Sequence, residues 1–324
     1  MHSSVKRLVA QAVVALNLVL ILQPSLSPGQ DPVDAQNQAL RTDRWLVVLC
    51  GLPGDQLHRE RLNGAVQQIV AAAEPVLLIP KQHVRVLVGD DEMVEEVKGT
   101  VTGAAVCTGE SVHALFQELG QQISAADACW VICLGHAQLS GARSTFNVQG
   151  PDFDAGEFAR ALAPVRSHQR VLMLTMPVTG FWIKPLKATG TIAIAATEVG
   201  PEQTATEMPY ALADVLAGTQ AHQALADIDE DGQLSLLDLY LAVNLEIHHR
   251  YKARERLQTE HAQLDDNGDG LGKELQEAYL PKEEEEGTVP LTRPLPNVAK
   301  TLNSDGDLAR RTSIGKPSPV AEAR

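Results

Sequence analysis

Five short runs of β-branched and aliphatic residues, apolar on consecutive rather than alternate positions, constrain this 324-residue chain more than any other feature. They are WLVVLC (45–50), HVRVLVG (83–89), CWVICLG (129–135), RVLMLT (170–175) and TIAIAAT (191–197). A strand without period-two alternation is covered on both faces. Between the runs lie helix-like segments: an amphipathic stretch to about Ala73, Glu110 to Ile123, and Asp154 to Leu162. The last opens with Asp154 and Glu157 in capping-box spacing, which satisfies free amides at a helix start. A further helical stretch follows residue 197 and is interrupted at Pro209. This alternation predicts an α/β fold, a three-layer sandwich with a mainly parallel sheet between helices. In such sheets ligands gather at the carboxyl ends of the strands, so GLPGD (51–55), GHAQLSG (135–141) and MPVTGFW (176–182) are the segments expected to carry a site.

The length suits one mid-sized domain plus a small module. At the N-terminus, Lys6 and Arg7 precede an apolar run from Leu8 to Leu22 and a Pro/Ser/Gly breaker. Residues 1–30 therefore read as an export signal, with an uncleaved membrane anchor at 8–22 as the alternative. The expected location is periplasmic or extracellular, with any membrane association confined to that segment. The formal net charge of -14 argues against a nucleic-acid partner and towards cations. Cys50, Cys107, Cys129 and Cys133 read as buried thiols, since no CxxC pair points to zinc and spacing assigns no disulfide. From residue 281 to 324 an acidic run, Glu283 to Glu286, leads into a Pro-, Thr-, Ser- and Arg-rich stretch read as a disordered tail.

Residues 221–280 read as a helical calcium-binding module of EF-hand type. In the loop Asp227 to Asp238, oxygen ligands fall at position 1 (Asp227), 3 (Asp229), 5 (Asp231), 9 (Ser235) and 12 (Asp238). Gly232 permits the sharp turn at position 6, and Gln233 offers its backbone carbonyl at position 7. Hard oxygens at this spacing suit Ca²⁺. Asp238 replaces the usual bidentate glutamate and reaches less far, so the expected affinity is weak, on the order of 10⁻⁴ to 10⁻³ M. A second loop places Asp265, Asn267, Asp269 and the carbonyl of Leu271 at positions 1, 3, 5 and 7, at a spacing that suits a paired EF-hand. Its second half is poor: Lys273 stands at position 9 and Gln276 at 12, so Glu274 would have to swing in. His248, His249 and His261 lie between the loops; the adjacent pair points to different helix faces, so no His-metal site is expected. Asn303-Ser-Asp-Gly-Asp is too incomplete to count as a third loop.

CWVICLGHAQLSG (129–141) followed by RVLMLTMPVTGFW (170–182) resembles the legumain and caspase-type cysteine peptidases. In that fold a strand ending in His-Gly is followed by a strand ending in a Cys-containing turn. The resemblance implies a caspase-like sandwich over residues 44–220, with His136 on the family histidine and Ala137 in place of the family glycine. Gly180 matches the glycine of the family's Ala-Cys-Glu-Ser-Gly turn, which puts Pro177 at the nucleophile position. Proline carries no nucleophile. The chain is also similar to a group of exported bacterial proteins with this domain followed by a calcium loop, on the motifs LCGLPGD (49–55), FNVQGPD (146–152), IAIAATE (192–198) and LDDNGDG (264–270). The nucleophile turn is often degenerate in that group. These resemblances imply an inactive peptidase-like domain that binds or scaffolds a peptide or protein partner, with Thr179 donating hydrogen bonds in the old pocket. The alternative is an active cysteine endopeptidase with a displaced nucleophile, for which Cys50 at the end of the first strand is best placed.

Overall fold

A computed structural model describes residues 43–201, 203–219, 225–280 and 304–315. All of them fall within one compact unit, Thr42–Arg324. The expected export segment with its apolar run 8–22, and the acidic run 283–286, lie outside the described residues. Among the described residues no helix is long and apolar enough to cross a membrane.

The five expected strands form the centre of a seven-stranded sheet. They are β1 (Arg44–Cys50), β2 (Val84–Val88), β4 (Ala128–Leu134), β8 (Gln169–Leu174) and β9 (Thr191–Ala195), joined by the short β3 (Ala105–Val106) and β10 (Gln263–Asp265). The order is β10-β9-β8-β4-β1-β2-β3. Every pair is parallel except β10 with β9. Alternate residues of each strand feed two cores. Leu46, Val48, Trp130, Ile132, Met173 and Ile194 pack on one face beneath α1 (Gln56–Ala72), α6 (Met208–Ala217) and α7 (Leu236–Ala253). Val47, Leu49, Val131, Leu172 and Leu174 pack on the other beneath α3 (Gly109–Gln122), α4 (Ala155–Leu162) and α5 (Gly180–Leu186). Double-sided burial is why these strands read as unbroken apolar runs.

Caps set the helix starts. Asp55 accepts from the His58 amide to open α1, and Asp90 does the same from Met93 for α2 (Asp91–Val97) while its carboxylate takes both arms of Arg59. The capping box expected at Asp154 and Glu157 is formed. Pro209, expected to interrupt a helix, instead sits in the first turn of α6, where a missing amide hydrogen costs nothing.

Three further elements depart from the sequence reading. A second sheet, β5-β6-β7 (Ala137–Ser140, Arg143–Phe146, Phe153–Asp154), lies beyond the end of β4, where the sequence reading placed no strand. Of the expected module 221–280, residues 225–280 are built into the sandwich: α7 buries Leu237, Tyr240, Leu241 and Ile247 in the first core, and β10 joins the sheet edge. Finally, residues 304–315 of the supposed disordered tail are folded. They form α9 (Asp307–Arg311), after the short α8 (Gln276–Tyr279), and bury Ala309 and Ile314 in the first core. Two apolar anchors suffice there because the segment is held mainly by its polar and backbone bonds. The rest of the tail, 281–303 and 316–324, lies outside the described residues.

Candidate functional site

Strands β1, β4 and β8 end side by side, and their backbones approach closely just beyond. The Gly51 amide donates to the Leu134 carbonyl at 2.8 Å, Leu52 to that of Asn147 at 2.9 Å, and Asn147 to that of His136 at 3.0 Å. A Cβ on Gly51 would stand 2.3 Å from the Asn147 carbonyl oxygen. The LCGLPGD and FNVQGPD segments thus meet each other, and the Asp152 carboxylate closes its own turn by accepting from the Val148 amide.

His136 lies in a pocket of about 380 Å³ lined with Leu52, Pro53, Asp55, His58 and Asn147. Its Nε2 is 2.9 Å from the Pro53 carbonyl. A carbonyl only accepts, so Nε2 carries the hydrogen and Nδ1 keeps its lone pair. His58 meets the ring edge-on at 4.8 Å between centroids and is itself turned by Asp55, whose carboxylate accepts from Nδ1 at 2.9 Å. Burial holds the His136 pKa below the ordinary histidine value, against the raising effect of the Pro53 bond. The ring is therefore neutral at pH 7. Because its folded pKa is depressed, its contribution to stability is full above the unfolded value of about 6.5 and is lost as pH falls through the folded one. A proton NMR titration of the His136 ring should show a midpoint below that of a denatured-state histidine; a midpoint at or above it would contradict this environment.

The turn after β8 is buried throughout, from Thr175 to Gly180. The last registered pair of the two strands is Cys133 with Leu174, so His136 and Pro177 each follow it by three positions. Val178 has φ of 54°, a left-handed conformation that costs a β-branched residue about 1–3 kcal/mol. Thr179 holds it there. Its hydroxyl faces the carbonyls of Met176 and Leu174 at 3.0 and 3.2 Å and accepts from the Ala196 amide, while its own amide donates to Thr197 Oγ1. Fully buried, Thr179 braces the turn and does not line the pocket, contrary to expectation.

No cysteine lines the His136 pocket. All four cysteines are free and buried. Cys50 belongs to the first core, where burial and the neighbouring Asp90 charge push its pKa up to about 12. Burial raises Cys133 as well, and it faces the second core. A thiol at such a value is almost wholly protonated at neutral pH and is a poor nucleophile.

In the first acidic loop, carboxylate oxygens of Asp227, Asp229 and Asp231 lie within 4.8 Å of one another. Internal bonds shape it: Asp227 accepts from the Gly232 amide, Asp229 from Asp231, and Asp231 from Gln233. The second loop repeats this pattern with Asp265 and Gly270, Asn267 and Asp269, and Asp269 and Leu271. The two first halves therefore fold alike.

In the second halves, the groups at positions 9 and 12 have partners within the protein. Asp238 is fully buried, and both its oxygens are engaged, Oδ1 by the amides of Ile228 and Asp229 and Oδ2 by the amide and hydroxyl of Ser235. It closes the loop and caps α7 with Ser235, whose hydroxyl is likewise committed to the cap. In the second loop Gln276 bonds Tyr240, Glu274 faces His261, and Lys273 pairs with Asp305 at 2.8 Å. The expected pairing of the two loops is also replaced: the backbone beside Leu234 and Ser235 is taken by Ile314 and Ser313. The second loop follows strand β10, not a helix.

The residues that tie this region together went unnoticed in the sequence. Arg310 Nε donates to Asp229 at 2.7 Å, and Asp266 accepts from the amides of Gly306 and Ala309. The incomplete Asn-Ser-Asp-Gly-Asp of 303–307 was the available signal, since Gly306 makes one of these contacts and Asp305 accepts from the Asp266 amide. No protein-family model matches this chain, and no curated protein matches it.

Proposed function

We propose that the protein is an exported calcium-binding protein whose legumain- or caspase-like domain has lost its nucleophile and serves as a binding module for a peptide or protein partner. The reading rests chiefly on one observation: adjacent strands β4 and β8 lead into His136 and into a buried turn with proline at the nucleophile position. A thiol–imidazole pair would need a cysteine where Pro177 stands. His136 retains a free Nδ1 lone pair in an open pocket, so the cleft keeps hydrogen-bonding capacity without a nucleophile to activate.

For calcium, Asp227, Asp229 and Asp231 fit as hard oxygen ligands, with the Gln233 carbonyl as a fourth. Asp238 and Ser235 fit less well because their oxygens serve the cap. A bound ion would supply bracing of the α6–α7 connection, and the small ligand set agrees with weak, extracellular-range affinity.

The test is hydrolysis of a mixed fluorogenic peptide library by the folded protein, in millimolar calcium and again in chelator, alongside thermal unfolding in both. The expected result is no turnover in either condition and a higher Tm with calcium, as mass action requires of an ion that binds the native state. Turnover abolished by iodoacetamide would overturn the inactive reading. An unchanged Tm up to tens of millimolar calcium would overturn the calcium reading.

A further inference from the structure

Asp229 sits between two systems. Its side chain is 0% exposed. One oxygen, Oδ1, accepts from the Asp231 amide at 3.3 Å. The other, Oδ2, accepts from Arg310 Nε at 2.7 Å, across 81 positions of sequence. We propose that Arg310 is the first acidic loop's own cation, so that docking of segment 304–315 and entry of a divalent ion among Asp227, Asp229 and Asp231 oppose each other. This rests on the reading that the loop takes calcium.

Arg310 is held in place by its own segment. Its Nη2 donates to the Tyr279 hydroxyl at 2.6 Å. The segment is fastened at both ends: Asp266 accepts from the Gly306 and Ala309 amides, the Leu236 amide donates to the Thr312 carbonyl, and the Ile314 amide donates to the Leu234 carbonyl. With the segment docked, the bond to Tyr279 keeps the guanidinium beside the loop.

Two effects of the guanidinium compete. It could position Asp229 and so aid an ion, or it could repel the ion. Positioning is already supplied, because the Asp229 amide donates to Asp238 and the Oδ1 oxygen is fixed by Asp231. Repulsion is not offset by anything comparable: a guanidinium and a divalent ion sharing one carboxylate stand roughly 5 Å apart, which even at the dielectric of water weakens ion binding about tenfold. Lower ligand charge also lowers affinity in loops of this type. By thermodynamic reciprocity, the ion must weaken docking of the segment by the same factor.

The test is calorimetric titration of calcium chloride into the full chain and into Arg310→Gln, at low ionic strength. Glutamine keeps a donor for Asp229 and removes the charge. Hydrogen exchange of the Ala309 and Ile314 amides is followed in parallel, with and without calcium. The variant should bind calcium about tenfold more tightly, a difference that shrinks with added salt. In the parent, calcium should speed exchange of both amides.

Equal or weaker binding by the variant, or slower parent exchange in calcium, overturns the opposition while leaving calcium binding intact. Binding by neither protein overturns the calcium reading and this inference together. If the variant fails to fold, the parent's exchange alone decides.

Discussion

Asp238→Ala lowers the free energy of unfolding by about 3–5 kcal/mol, and does so in chelator as fully as in calcium. The carboxylate is fully buried and receives four donors: the amides of Ile228, Asp229 and Ser235, and the Ser235 hydroxyl. Alanine strands those donors, each unsatisfied buried group costing about 1–3 kcal/mol. It also removes a negative charge from the first turn of α7, where the helix dipole favours one. Asp238→Asn should fall between, since one amide oxygen still accepts. Position 12 of a calcium loop would predict something different, because a ligand acts on stability only through the ion it holds. Urea unfolding of parent and variant in both conditions separates the two: a loss confined to calcium would restore Asp238 to the ligand set.

That contrast marks where sequence reading succeeds and where it stops. The five central strands were legible because burial on both faces leaves an unbroken apolar run, a signal carried within each segment. Caps at Asp154 and the turn glycine at position 6 of each loop were legible for the same local reason. The cap role of Asp238 was not legible, because spacing identifies an oxygen at position 12 but not which groups its lone pairs meet. The ties made by Arg310, Asp266 and Asp305 were not legible for a different reason. Their partners lie tens of residues away in sequence, and segment 304–315, which supplies one side of each tie, has too few apolar residues to show a period. Thr179 fell between the two cases: its place in the turn was readable, but its direction depended on β9 arriving beside it. At the cleft, the sequence placed His136 and Pro177 at the ends of neighbouring strands, while the pairing of His58 with Asp55 was hidden within a helix cap.

Gly180→Ala costs about 3 kcal/mol or more, at the upper end of the overpacking range, and disturbs the His136 pocket without touching it. A Cβ at this position would lie 2.3 Å from the Glu198 carbonyl carbon and 2.5 Å from the Val199 nitrogen. Both are backbone atoms, so no side-chain rotation relieves the clash and either the α5 start or the chain after β9 must move. The turn has little slack, since Val178 is already held in the left-handed region by the bonds of Thr179 to Met176 and Ala196. The chain after β9 is tied to the neighbourhood of the cleft: Gln203 Oε1 accepts from the Leu139 amide at 2.9 Å, on the strand that begins next to His136. Urea unfolding measures the cost, and the Leu139 amide and His136 ring resonances report the displacement. Gly64→Ala is the control, because a Cβ there meets nothing within 4 Å and alanine inside a helix is worth about 0.5–1 kcal/mol over glycine. A Gly180 variant as stable as the parent would mean that the turn after β8 can open, which is what a site still able to admit a substrate chain would need.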